Sequence, residues 1–223
     1  MELATAVTIP TIVHLMRATD SKIRKDQHNV DVLNTRDLFP KILASAEDRK
    51  SVNAIWRPAA VQFELVPGRI NVVEYSLKED FGVEPGEESG EQIKFECSER
   101  PTEEEQRRFR ALQEKFGSKG FQGLQVFVLA RMASTSGCVS RGGCAMSQPA
   151  GVTGSVWLDR GAVIDDSLGF FWSTAHEIGH FLKLHHVHDR EDSLMNPNPR
   201  GKVLSNDERE TANHRAKEVM NKR

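Results

Sequence analysis

Five of the eight histidines in the chain fall between His176 and His188, and no other feature constrains the fold as strongly. Within that window stands the string His176-Glu177-Ile178-Gly179-His180. Residues four apart on a helix share a face, so the rings of His176 and His180 can aim at one point in space. Neutral imidazole is a good ligand for Zn²⁺, and a catalytic zinc takes three protein ligands while a fourth position stays open. Glu177 projects beside that point, where a carboxylate can take a proton from a water held by the metal. By composition alone such a string arises in roughly 2 or 3 chains per hundred, and with a further histidine six residues on in about one per thousand. The neighbours Phe170, Phe171, Trp172, Ile178, Phe181, Leu182 and Leu184 are apolar and imply a buried helix. Burying several imidazoles is costly unless each finds a partner.

A third ligand must come from elsewhere. If the helix continued past His180, its next positions on the same face would be Lys183, Leu184 and Val187, none of them ligands. The chain is therefore expected to turn after His180 and present His186, or His185 if the turn differs by one residue. A competing arrangement takes the third ligand from a downstream carboxylate, Glu208 or Glu210. His188 with Asp189 reads either as a pair orienting a ligand imidazole or as a polar loop.

The rest of the chain sets the frame. With 223 residues, 38% of them hydrophobic and 28% charged, it is long enough for a sizeable core. Thirty basic against 32 acidic residues give a net charge of −2, which argues against a nucleic-acid binder held by bulk phosphate attraction. No apolar run approaches the length of a membrane span. Glu2, Thr8, Pro10, Thr11 and His14 interrupt the N-terminal apolar residues, so this stretch does not read as a secretory leader. The location is expected to be the cytosol, or outside the cell after removal of a leader or by a route needing none, with export favoured.

Strands are expected at 11–17, 61–66, 70–77, 123–132 and 153–158, the second and third joined as a hairpin at Pro67-Gly68. A helix is expected from 41 to 57 and stopped by Pro58. Others start at Thr102, near 168–173 and at Ser205, with capping boxes Thr102 to Glu105 and Ser205 to Glu208. Residues 82–92 and 133–151 read as loops. The elements mix without strict alternation, which points to the α+β class. Cys138 and Cys144 could close a small disulfide or stay as free thiols, and Cys97 reads as unpaired.

The string HEIGHFLKLHH resembles the motif of the metzincin zinc peptidases, HExxHxxGxxH, with His176, His180 and His186 at the ligand positions. Asp192-Ser193-Leu194-Met195-Asn196-Pro197 is similar to the family's methionine-containing turn, and Val52 to Phe63 to the end of its first long helix and the next strand. Lys183 stands where the family has glycine, and Pro197 where some members have a metal-contacting tyrosine. The resemblance implies a mixed twisted sheet with two long helices above a cleft and a small C-terminal helical subdomain. It implies one catalytic domain over 1–223, divided near 186, that hydrolyses protein or peptide substrates as a zinc-dependent endopeptidase. In it Glu177 acts as general base and then acid, and Met195 forms the floor of the site. A substrate strand would add to the sheet edge, assigned to Gly151 to Leu158. A monomer is expected, with any inhibitor or immunity protein unknown. A non-catalytic zinc-binding or interaction module is the alternative, its fourth position closed by His185 or His188. An exported effector acting inside another cell is a third class.

Overall fold

The computed structural model describes residues 6–22, 35–43, 51–86, 93–95, 103–129, 132–134, 143–146, 155–159, 172–197 and 201–221. The β-branched N-terminal run forms β1, Val7–Ala18, and pairs in parallel with a strand on either side. Residues 35–42 form α1, and Val52–Trp56 forms α2. The expected single helix over 41–57 is broken at Ser51, whose backbone is extended and whose Oγ accepts the Ala54 N–H as a fresh N-cap. Pro58 then sits in a 3₁₀ turn, Arg57–Ala59, and ends the helix as its missing N–H dictates.

Val61–Tyr75 forms one long strand, β2, in place of the expected hairpin. Both of its halves pair with β1 in the same parallel sense, from Val7 opposite Val61 to Ala18 opposite Tyr75. Between them, Thr11 to Val13 of β1 faces Leu65 to Ile70 of β2, so Pro67 and Gly68 lie in a bulge. Gly68 has φ +70° there, as a tight backbone kink requires. The turn signal was real, but it marks a bulge because the flanking residues find a shared partner in β1.

A short helix, α3, follows at Leu77–Phe81, where a strand end was expected. Ser76 Oγ accepts the Glu79 N–H, and the Asp20 carboxylate accepts the Leu77 N–H at 2.7 Å. Then come β3 (Ile93–Phe95), α4 (Glu103–Phe116), β4 (Leu124–Leu129), β5 (Met132–Ser134), β6 (Gly143–Met146) and β7 (Ser155–Asp159). The chain closes with α5 (Trp172–Phe181) and α6 (Asn206–Asn221). Thr102, Cys97 and Cys138, and with the last any bridge to Cys144, lie outside the described residues.

The main sheet runs β2-β1-β4-β7-β6, with the first four parallel and β6 antiparallel to β7. β3 and β5 form a separate parallel pair. Residues expected to be loop thus supply β6, and β7 lies inside the sheet, so among the described residues the edge on that side is 143–146 and not 155–159, while residues 151–154 lie outside the described residues. Parallel neighbours need long crossovers, and these hold helices on both faces; the arrangement is mixed α/β where α+β was expected. Alternation sorts the side chains. Ile9, Val13, Leu15, Val126, Val128, Val156 and Leu158 face one core with Trp172, Ala175, Ile178 and Phe181 of α5. Met16, Phe127, Leu129 and Trp157 face the other with Leu112 and Phe116 of α4. Burial on both sides explains why Leu124–Leu129 is apolar without a polar alternation.

Two buried asparagines tie the layers together. Asn53 Nδ2 donates to the carbonyls of Leu43 and Phe63 at 2.7 and 3.0 Å, and its Oδ1 accepts the Phe63 N–H at 2.8 Å. Asn213 Nδ2 donates to the Ala59 carbonyl at 3.0 Å and fastens α6 beneath the 3₁₀ turn. Neither carried a sequence signal, since a lone asparagine reads as surface until its partners are known.

His14 is buried in β1, stacks on Phe127 at 4.6 Å, and shares a 3.1 Å hydrogen bond with Gln125 Oε1. Burial holds its pKa below the ordinary 6.5, outweighing the Gln125 bond, and the Arg69 charge lowers it further. Because the folded pKa lies below the unfolded one, the unfolded chain takes up the proton first as the pH falls through 6.5, so stability falls as the pH drops. In urea titrations with chelator present, the midpoint at pH 5.5 is expected below that at pH 7.5. His14→Leu should narrow the gap, because Gln125 Oε1 keeps the Ser118 N–H as partner.

Candidate metal centre

α5 packs along β6 and β7, which brings the histidine string to that end of the sheet. Its apolar residues Trp172, Ala175, Ile178 and Phe181 hold it against the core and leave one face for the two histidines. The helix ends where the ligand argument required. Lys183 adopts φ +64°, its N–H reaches the His180 carbonyl at 2.8 Å, and the Leu184 N–H reaches the Gly179 carbonyl at 2.9 Å. This is a Schellman stop formed without glycine, and the residue after it, Leu184, is buried. The reversal delivers His186 to the other two rings.

The Nε2 atoms of His176, His180 and His186 form a triangle. His176 to His180 is 3.1 Å, His180 to His186 is 3.1 Å, and His176 to His186 is 3.2 Å. The other ring nitrogens fix what those atoms carry. His176 Nδ1 lies 2.8 Å from the Leu194 carbonyl and His180 Nδ1 lies 2.9 Å from the Leu184 carbonyl. A carbonyl only accepts, so both Nδ1 atoms bear the proton and both Nε2 atoms present lone pairs. Two lone pairs at 3.1 Å repel, and a neutral His186 has one ring proton, enough to satisfy at most one of them. A shared cation resolves the conflict. Tetrahedral zinc with Zn–N bonds of about 2.0–2.1 Å sets its nitrogens about 3.3–3.4 Å apart, close to the observed triangle. The three histidines could hold a metal ion, and among the described residues they are the one such group.

The surroundings suit neutral ligands. Burial pushes His176 down to about 3, helped by His180 and His186 and opposed by the Leu194 carbonyl, so the ring stays unprotonated across the ordinary pH range. Trp172 lies over the His176 ring at 4.4 Å. Glu177 is 7% exposed and sits outside the group of converging nitrogens. Met195 is fully buried beneath α5, against Gly179, where an added Cβ would overlap its sulfur. The glycine between the two helical histidines is thus what lets that methionine approach.

The remaining candidates lie elsewhere. Glu208 is not drawn to the triangle: its Oε2 accepts the Ser205 N–H at 2.5 Å, as the capping box demands. Glu210 is exposed on α6. His185 and His188 are exposed, with the His188 ring 6.0 Å from that of His186, and neither joins the group. Sequence reasoning missed the two carbonyls, Leu184 and Leu194, because backbone acceptors leave no residue-type signal.

No protein-family model and no curated protein matches this chain. Among solved structures, the chain is similar to a zinc-dependent peptidase from Methanocorpusculum labreanum at 13% identity and a TM-score of 0.43. That alignment covers 90% of this chain and 100% of the other.

Substitutions at two positions probe this geometry. Gly179→Ala should lower zinc affinity at least tenfold and destabilise the fold by about 1–3 kcal/mol, as overpacking does; chelator competition and urea titration measure both. Lys183→Gly should raise the unfolding free energy by about 0.5–1 kcal/mol through relief of the left-handed strain, net of the entropy glycine adds to the unfolded chain. Lys183→Ala should give no gain.

Proposed function

We propose that the protein is a zinc-dependent endopeptidase of the metzincin type, acting on protein or peptide substrates. The observation that carries this reading is the convergence of the His176, His180 and His186 Nε2 atoms within 3.2 Å, two of them bearing lone pairs fixed by backbone carbonyls. These three residues would hold the ion. When bound, it supplies Lewis-acid polarisation of a peptide carbonyl and brings the pKa of water toward about 7.

The chain's own groups supply the rest. Glu177 follows His176 directly on α5 and, as general base, takes a proton from the attacking water, then returns it to the departing amine. Glu177 is buried, and low solvent exposure strengthens a carboxylate's field on nearby atoms. Met195 forms the floor, against Gly179. The sheet edge nearest α5 is β6, so an extended substrate backbone is placed along residues 143–146 by strand addition. One catalytic unit over 1–223, with its C-terminal part from 187 onward shaping the side-chain pocket, completes the reading.

The test combines metal content with cleavage. Protein loaded with zinc should cut an unstructured protein substrate and stop with chelator. Glu177→Gln should keep stoichiometric zinc while cleavage falls about 10²–10⁴-fold. His186→Ala should lose zinc far more severely than His188→Ala. Zinc binding without any cleavage by the wild type would favour the non-catalytic module instead.

A further inference from the structure

The capping-box carboxylate Glu208 has more partners than a cap needs. Its side chain is 11% exposed. Oε2 accepts the Ser205 N–H at 2.5 Å, which completes the cap of α6 together with Ser205 Oγ and the Glu208 N–H at 3.2 Å. Oε1 accepts a second hydrogen bond, from Ser193 Oγ at 3.3 Å, and Arg190 Nη1 lies 3.5 Å from Oε2. Ser193 is fully buried, and its hydroxyl oxygen accepts the Met195 N–H at 3.1 Å. Between Ser193 and Met195 stands Leu194, whose carbonyl receives the His176 Nδ1 proton and whose N–H is held by the Val203 carbonyl at 2.9 Å.

We propose that Glu208 is a positioning residue for the metal centre, acting through Ser193 on the Leu194 carbonyl that orients His176. This rests on the metal-binding reading of the three histidines. The hydroxyl's direction is fixed by its two partners: Ser193 donates to Glu208 Oε1 and turns its lone pair to the Met195 N–H. Together with the Val203 carbonyl on the Leu194 N–H, this holds the loop with its Leu194 carbonyl on His176. An outer partner of a ligand histidine sets its tautomer and aim, and losing such a partner lowers metal affinity about 10–100-fold. Glu208 stands two links further out, through Ser193, so the low end of that range, about tenfold, is expected.

The test separates the two uses of the side chain. Glu208→Gln keeps a cap acceptor, since glutamine also serves a capping box, but it offers an amide donor to Ser193 and removes the charge facing Arg190. Zinc affinity is read by competition with a chromophoric chelator, ligand geometry by the visible spectrum of the Co²⁺-substituted protein, and folding by the urea midpoint of the metal-free protein. Glu208→Gln and Ser193→Ala are each expected to lose about tenfold in zinc affinity and shift the Co²⁺ bands, with Glu208→Gln near the wild-type midpoint. The double variant should lose no more than either alone. Ser205→Ala, which weakens only the cap, should lower the midpoint and leave affinity unchanged. Unchanged affinity in Glu208→Gln and Ser193→Ala beside a zinc-binding wild type overturns this proposal alone, and so does an equal affinity loss in Ser205→Ala. A wild type that takes up no zinc overturns the metal centre and this proposal with it.

Discussion

The site depends on two hydrogen bonds from imidazole nitrogens to backbone carbonyls. By holding the His176 and His180 protons on Nδ1, the Leu194 and Leu184 carbonyls turn two Nε2 lone pairs toward each other. That arrangement is unfavourable in itself and becomes favourable around a cation, so the main chain shapes a point that could hold a metal ion. Each carbonyl also has a place in the fold. Leu184 is the residue that closes the helix stop, and Leu194 is bridged to Val203 ahead of α6. Tautomer, helix termination and tertiary packing are coupled at these two points.

The sheet explains why such a demand can be met. The rings of His176 and His180 converge only if their helix does not drift, and α5 is pinned by an apolar face against strands buried on both sides. Asn53 and Asn213 join α1, β2, the 3₁₀ turn and α6 through bonds to main-chain groups, which fixes the layers around that helix without further apolar bulk. Buried polar groups satisfied in this way favour one arrangement over near alternatives.

Much of the centre was legible because histidine spacing is a chemical signal with few other causes. The four-residue interval fixed a shared helical face, and the absence of ligands at Lys183, Leu184 and Val187 forced the turn that brings in His186. Less of the fold was legible. Pro67-Gly68 marks a bulge as readily as a hairpin, and only the register of β1 decides between them. The 143–146 strand was hidden in Gly and Cys residues, where composition favours loop and pairing with β7 overrides it. Glu208 was read as either a cap or a ligand, and its second bond to Ser193 depends on a contact fifteen residues away in sequence. Interactions through the main chain, or between distant residues, have no local periodicity to reveal them.

The bulge in β2 has a consequence for the molecule's far border. Among the described residues β2 ends the main sheet, with no strand on one of its sides. A flat, uninterrupted row of amides and carbonyls would be a template on which another chain could crystallise into a continuous ribbon. The kink at Pro67 and Gly68 splits the row into two short tracts, and proline lacks an amide proton to lend. The same irregularity that accommodates the extra residues thereby shortens any straight run of main chain that a second strand could follow.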